Sequence, residues 1–145
     1  MEDKKVLRII DANLNRLQEG LRVCEDISRF LLNDTASSCK LKKIRQSIFG
    51  VVRNSKISKL ELIKTRDSAK DVGKVSTKKE QQRRNWQAVF LANIARSKES
   101  TRVLEEIFKI VNKKAAERFK KIRFAIYEIE KKIIVKHQTL SNSMH

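Results

Sequence analysis

Two polar pairs recur at matched positions of the sequence and give the first sign of chemistry. Asn13 is followed three residues later by Arg16, and Asn93 is followed in the same way by Arg96. Each pair lies on the inward stripe of a predicted helix, where an amide and a guanidinium cost free energy unless partners satisfy them. A small residue follows one turn later in both copies and leaves space beside the pair. Since guanidinium groups bind phosphates, we expect Arg16 and Arg96 to act in a ligand site.

A short segment between the two pairs carries acidic residues. Asp67 and Asp71 are spaced i,i+4 in a loop that ends at Gly73, and Arg66 precedes them directly. This spacing suits a Mg²⁺ site, although the same carboxylates could simply cap a turn. The second helix of an up-down hairpin ends beside the start of the first. We therefore expect the segment to lie over the end of the bundle that holds both Asn–Arg pairs.

The two pairs belong to an internal duplication. Residues 12–26 and 92–106 share the pattern A-N-x-x-R-x-x-E-x-x-R-V-x-E-[DE] at an offset of 80. A second match follows each copy, at residues 41–48 and 119–126, with an offset of 78. So many identities in a fixed register predict two related helical hairpins. The expected bounds of repeat one, the ordered linker and repeat two are about 6–56, 57–76 and 77–137.

Composition favours a single all-helical domain. The chain has 145 residues, of which 40% are hydrophobic, with no proline and three glycines. Tight turns and glycine-rich phosphate loops need more glycine, so β-rich folds, P-loops and dinucleotide fingerprints are excluded. Apolar residues follow a heptad seam in the first helix, from Ile10 to Leu31. We predict a four-helix up-down bundle with helices near 5–33, 36–56, 78–111 and 114–137.

Local signals mark the starts of two of these helices. Thr35 follows an Asn-Asp break and is the predicted N-cap of the second helix. Residues 77–80 read Thr-Lys-Lys-Glu, which is a capping box at the start of the third helix.

The charge of the chain attracts polyanions. Thirty-four Lys and Arg residues outnumber seventeen Asp and Glu residues, which gives a formal net charge of +17. Nucleic acid, an acidic membrane and phosphorylated small molecules all fit a field of this sign. Cys24 and Cys39 form no zinc or disulfide pattern, and His137 and His145 are too isolated for a metal site. We find no signal peptide or membrane-spanning stretch, and we expect a cytoplasmic protein.

Some charged positions of the repeat are open to a structural explanation. Arg22 and Arg102 each lie three and four residues before two acidic residues, a spacing that stabilises a solvated helix. Ion pairing and ligand binding explain the presence of both arginines equally well. Asn13 and Asn93 could in the same way bond to each other across a pseudo-two-fold axis. We assign to ion pairs the acidic residues Glu25, Asp26, Glu105 and Glu106.

Three elements of the sequence together resemble a known enzyme family. They are R-I-I-D-A-N-x-N-R-x-x-E-x-L-R-V-x-E-D at 8–26, R-D-S-x-x-D-V-G at 66–73, and A-N-x-x-R-x-x-E-x-x-R-V-L-E-E at 92–106. Over most of its length the chain is similar to the monofunctional hydroxymethylpyrimidine-phosphate kinase domain. That domain is often fused in front of thiamine-phosphate synthase.

The resemblance implies ATP-dependent phosphorylation of 4-amino-5-hydroxymethyl-2-methylpyrimidine phosphate to its diphosphate in thiamine biosynthesis. It implies ATP and Mg²⁺ as cofactors, and as partners the phosphorylated pyrimidine and either a second copy of the chain or a thiamine-phosphate synthase, with no membrane. The residues expected to hold phosphates are Arg16, Arg96 and Arg66. Those expected to bind substrate are Asn13, Asn93, Arg22, Arg102 and Gly73, and those expected to hold the metal are Asp67 and Asp71.

The residues permit this chemistry, and two other classes compete with it. The attacking group would be a phosphate oxygen, which is largely ionised at pH 7, so no His or Cys base is needed. Phosphoryl transfer then depends chiefly on positioning and charge neutralisation. A basic helical nucleic-acid-binding module would instead cluster Lys and Arg on an outward face. A catalytically silent partner subunit is the third class.

Overall fold

The chain is all-helical, as predicted. The computed structural model describes residues 3–67, 71–73 and 84–144, and these hold helices and turns but no strand. The helices are α1 (Lys4–Asp26), α2 (Thr35–Asn54), α3 (Lys59–Lys64), α4 (Trp86–Val111), α5 (Lys113–Lys136) and α6 (Gln138–Asn142). A π-helical turn, Ile27–Leu31, continues α1. The four long helices form a bundle in which α1 packs on α2 and α4, and α5 packs on the same two helices.

The first and second predicted helices match α1 and α2 to within a few residues, but Thr35 is not the N-cap of α2. Asp34 takes this position, and its carboxylate accepts a hydrogen bond from the Ser37 backbone N–H at 3.1 Å. The carboxylate also accepts from the Ser37 hydroxyl at 2.7 Å. The side chain one position earlier therefore reaches the free N–H groups of the first turn.

The helix that the structure describes in the third predicted span begins at Trp86, and the predicted start at residue 78 lies outside the described residues. Asn85 is its N-cap and accepts from the Ala88 backbone N–H at 2.9 Å. The predicted capping box at 77–80 lies outside the described residues. The linker also contains a helix that periodicity did not predict, α3, which Ser58 caps. Six residues are too few for a periodic pattern to stand out.

The core is built from the predicted seams. On α1 the buried residues of the seam are Ile10, Leu14, Leu17, Leu21 and Cys24, and on α5 they are Phe119, Ile122, Ile126, Ile129 and Ile133. Leu31 is half exposed, because the π-helical turn adds a residue to the last turn and rotates it off the seam. No helix in the described ranges combines the length and apolar character needed to cross a membrane.

Matching ion pairs hold each hairpin together. Arg45 on α2 donates to both carboxylate oxygens of Glu25 on α1, at 2.7 and 3.2 Å. Arg123 on α5 donates in the same way to Glu105 on α4, at 2.7 and 3.4 Å. Both glutamates are buried. Since the acids and the arginines occupy equivalent positions of the duplication, the repeated motif specifies the packing of two helices against each other.

Helix α4 runs antiparallel to α1. A Cβ atom placed on Gly20 would stand 3.0 Å from the Asn93 carbonyl oxygen, and four residues further along α1 the Cys24 thiol donates to the Phe90 carbonyl at 3.7 Å. Residue numbers on α4 therefore fall as those on α1 rise. In a simple up-down order the two helices would be parallel, since α1 and α4 are the first and third long helices. The start of α4 consequently lies at the opposite end of the bundle from the start of α1.

Candidate functional site

A cavity of about 810 Å³ opens at the end of the bundle where α1 begins. The first four turns of α1 form one wall, and residues 65–67 and Asp71, which follow α3 in the chain, form the other. The lining residues are Lys5, Arg8, Ile9, Asp11, Ala12, Asn13, Asn15, Arg16, Glu19, Thr65, Arg66, Asp67 and Asp71. The predicted meeting of the acidic segment with the Asn13 pair is therefore present in the structure.

An ion pair fastens this segment to α1. The Arg66 guanidinium donates from Nε to Asp11 Oδ2 at 2.6 Å and from Nη2 to Asp11 Oδ1 at 2.9 Å. Asp11 is only 7% exposed, whereas about half of the Arg66 side chain is open to solvent. These hydrogen bonds raise the pKa of the Arg66 guanidinium, which stays charged at any physiological pH. The pair fixes the position of the Arg66 guanidinium at the cavity.

The first Asn–Arg pair lines the same cavity from α1. Asn13 is buried, and its Nδ2 donates to the Ile9 carbonyl at 2.8 Å. Its Oδ1 is 3.5 Å from Arg16 Nη1, so the amide oxygen faces the arginine. Arg16 itself is exposed along the cavity wall. One N–H of the Asn13 amide is committed to the helix and its oxygen accepts from Arg16, so its second N–H and the second lone pair of that oxygen remain to meet a ligand.

Asp67 and Asp71 supply carboxylates to the cavity. Asp71 Oδ1 accepts from the Gly73 backbone N–H at 2.8 Å, which is the turn-capping role weighed above. Gly73 is exposed and does not line the cavity. Among the described residues no group of three His, Cys, Asp or Glu side chains could hold a metal ion. Two carboxylates fit Mg²⁺, which is commonly held by one or two of them together with substrate phosphates.

The second Asn–Arg pair does not reach this cavity. Gly20 packs against the Asn93 carbonyl. Asn13 precedes Gly20 on α1 and lies about 10 Å from it along the helix axis, at 1.5 Å per residue. Asn93 repeats the local hydrogen bond of its counterpart, donating from Nδ2 to the Val89 carbonyl at 2.8 Å, and Arg96 is exposed. Our expectation that both pairs share one site is wrong, because α4 runs antiparallel to α1.

Arg22 and Arg102 also lie away from the cavity. Each is more than half exposed, and each faces the acidic residues that follow it on its own helix. The closest approach is 3.6 Å from Arg22 to Glu25 and 3.1 Å from Arg102 to Glu106. The structure therefore places both guanidinium groups in the ion-pair arrangement and brings neither to the candidate site.

The basic and the acidic side chains of the cavity define its chemistry. Its described lining has four basic side chains and four acidic ones, in a chain where basic residues outnumber acidic residues two to one. Positive groups to bind phosphate and carboxylates to bind a metal ion are thus brought within one space. The buried thiol of Cys24 lies outside the lining, and burial raises its pKa, which disfavours the reactive thiolate.

Asp11 is the residue that our sequence analysis missed. It belongs to the first element of the resemblance, but we assigned it no role. A signal was present, since Asp11 stands at an inward position whose counterpart in the second repeat is the apolar Leu91. An acidic residue at a position that the duplication otherwise keeps apolar needs a partner.

Comparison with known proteins identifies the relatives of this chain. The model of the ThiD2 family matches residues 8–132. The chain belongs to the ThiD2 family. Among its relatives is a thiamine-phosphate synthase of Rhodopirellula baltica, 38% identical over 127 residues that make up 87% of this chain and 33% of the relative. No solved structure matches the chain.

Other relatives extend the match over nearly the whole chain. A thiamine-phosphate synthase of Nostoc sp. PCC 7120 is 37% identical over 141 residues, 95% of this chain and 38% of the relative. One of Prochlorococcus marinus subsp. pastoris is 38% identical over 134 residues, 92% of this chain and 36% of the relative. This ThiD2 chain therefore spans between about a third and two fifths of the length of the relatives it matches.

Proposed function

We propose that this ThiD2 protein phosphorylates 4-amino-5-hydroxymethyl-2-methylpyrimidine phosphate with ATP, giving the diphosphate, in thiamine biosynthesis. The observation that carries the proposal is the cavity in which Arg16, Arg66, Asp67 and Asp71 meet beside Asn13. Membership of the family and the names of the relatives support a place in thiamine synthesis. The relatives are named thiamine-phosphate synthases, and most of their length lies outside the part that matches this chain. We therefore expect a thiamine-phosphate synthase to be the partner that uses the product.

The reaction joins a substrate phosphate oxygen to the γ-phosphorus of ATP. The bond from this phosphorus to the β,γ-bridging oxygen breaks, and ADP leaves with that oxygen. The attacking phosphate is largely ionised at pH 7, because its second pKa is about 6, so no protein base is required. The residues need only bring two polyanions together and neutralise their charge, which is the main demand of phosphoryl transfer.

Six of the side chains that line the cavity have a role in this scheme. Arg66, held by Asp11, and Arg16, on the wall that α1 forms, would bind the phosphate oxygens of the two substrates. The second N–H of the Asn13 amide and the second lone pair of its oxygen would pair with the aminopyrimidine edge. Asp67 and Asp71 would hold Mg²⁺. When bound, that ion would neutralise part of the negative charge of the phosphates.

The competing function is nucleic-acid binding, for which the net charge of +17 is the only support. A thermal-shift experiment separates the two. We expect the pyrimidine monophosphate together with Mg²⁺ and ATP to raise the melting temperature, and we expect ³¹P NMR to record the diphosphate and ADP. If only an oligonucleotide raises the melting temperature and no diphosphate forms, the protein is a nucleic-acid-binding module.

The duplication supplies a matched control for the site. Arg16→Ala and Arg96→Ala remove the same side chain from equivalent helical positions, but only Arg16 lines the cavity. We expect Arg16→Ala to lower kcat/KM about 100-fold, and Arg96→Ala to leave it within about twofold of the unmodified protein. An equal loss in the two variants, at unchanged melting temperature, would contradict the placement of the site.

A further inference from the structure

We propose that Asp11 is a positioning residue that holds the Arg66 guanidinium at the cavity for a substrate phosphate. This inference rests on the proposed function and adds to it a residue to which the sequence analysis gave no role. Asp11 touches no substrate in this scheme. It acts only through the arginine that it binds.

The surroundings of Asp11 argue against a purely stabilising role. The residue is on the inward side of α1, among the buried residues Leu7, Ile10 and Leu14. A carboxylate in such a position is unfavourable until a cation and hydrogen bonds compensate it. An apolar residue would serve the core at least as well, and the second repeat has Leu91 at this position. The burial of Asp11 in the helix face therefore does not explain the acid, whereas its contact with Arg66 does.

The geometry of the pair points to that purpose. Arg66 uses Nε and one N–H of Nη2 to bind the two oxygens of Asp11. A guanidinium has five N–H groups, so three remain on a side chain that is half exposed and lines the cavity. The bidentate contact fixes the plane of the guanidinium as well as its position.

Fixing the arginine in advance lowers the cost of binding. Arg66 lies beyond the end of α3, on a segment outside the long helices. An arginine that is free to change rotamer loses this freedom when a phosphate binds, whereas one already held by Asp11 does not. Misplacing a charged group by about 1 Å can lower a rate about 100-fold. Loss of Asp11 should therefore weaken the use of substrate without removing any group that touches it.

A double-mutant cycle with Asp11→Leu and Arg66→Ala tests the proposal in the full chain. Leucine copies the second repeat, so we expect Asp11→Leu to keep the melting temperature. We expect it to lower kcat/KM about 10- to 100-fold, mostly through KM for the pyrimidine phosphate. The double variant should be no worse than Arg66→Ala, because Asp11 has nothing left to position. Asp11→Asn keeps the shape and one acceptor oxygen and should give an intermediate kcat/KM.

The outcomes are separable from those of the proposed function. A further loss from Asp11→Leu in the Arg66→Ala background, or unchanged kcat/KM in Asp11→Leu alone, would overturn the positioning role while leaving the kinase intact. If the unmodified protein has no kinase activity, the test uses the affinity for inorganic pyrophosphate, measured by calorimetry, in place of kcat/KM. Asp11→Leu should then bind about tenfold more weakly than the unmodified protein, and equal binding would overturn the proposal.

Discussion

The side chain of Ser97 occupies the space that a Cβ atom on Gly20 would need. Such an atom would stand 2.5 Å from the Ser97 Oγ and 3.0 Å from the Asn93 carbonyl oxygen. Gly20 is thus the point at which α1 and α4 make their close antiparallel approach. This antiparallel approach separates the two Asn–Arg pairs, and it explains why the first pair lines the cavity at the start of α1 whereas the second pair does not.

Gly20→Ala should therefore destabilise the protein although alanine is the better helix former. The gain in helix propensity is about 1 kcal/mol, and overpacking against Ser97 and the α4 backbone costs about 1 to 3 kcal/mol. We expect the free energy of unfolding in urea to fall by about 1 kcal/mol. Gly50→Ala is the control, because its added Cβ would meet only Arg118 Nη2 at 3.5 Å. It should raise stability by about 0.5 to 1 kcal/mol, and a similar gain in both variants would disprove the close approach.

Removal of Glu105 should destabilise the second hairpin strongly. Glu105 and Arg123 are both largely buried, so Glu105→Ala leaves a guanidinium without its carboxylate. Breaking one partner of such a pair costs about 3 to 5 kcal/mol, which calorimetry or urea unfolding can measure. Glu106→Ala is the matched control, since Glu106 is exposed and pairs at the surface with Arg102 and Lys109. A comparable loss in the control would contradict a specific role for the buried pair.

Acid should weaken the contact that joins the start of α2 to the end of α5. Burial works to raise the pKa of Asp34, but hydrogen bonds from His137, Ser37 and Lys136 outweigh it and hold the pKa well below its usual range. A carboxyl with a lowered folded-state pKa contributes stability above its unfolded-state pKa, about 4, and loses it as the pH falls further. The free energy of unfolding should therefore fall as the pH is lowered from 7 to 3.

Asp34→Asn isolates this contribution while keeping a residue that can cap α2. We expect the variant to be less stable than the unmodified protein at pH 7 and to approach it as the pH falls below about 4. Two parallel curves of stability against pH would mean that Asp34 does not contribute.

The protein should bind one pyrimidine phosphate per chain. The second repeat has Leu91 where the first has Asp11, and Asn93 lies about 10 Å or more along the bundle from Asn13. Calorimetry should give a stoichiometry near one. Asn13→Ala should weaken binding about tenfold, the loss expected for one hydrogen-bonding group, whereas Asn93→Ala should leave it unchanged. A stoichiometry of two, or equal losses in the two variants, would contradict a single site.

Much of the architecture follows from short-range patterns in the sequence. Heptad spacing from Ile10 to Cys24 specifies the buried face of α1, because a residue's position around a helix depends only on its number. The scarcity of glycine and proline excludes other fold classes, and the offsets of 80 and 78 identify the two hairpins. The placement of Arg66 and Asp67 near Asn13 follows from the hairpin topology, since chain connectivity brings the end of α2 to the start of α1.

Only the tertiary structure decided which residues share the site. The sequence shows that Asn93 and Arg96 match Asn13 and Arg16, but a repeated motif does not state whether its two copies lie parallel or antiparallel. Contacts of Gly20 with Ser97 and of Cys24 with Phe90 settle the direction of α4. The pairing of Asp11 with Arg66 across 55 residues likewise depends on packing. Local sequence determines which face of a helix is apolar, whereas the direction and partner of that face depend on how distant segments bury their surfaces together.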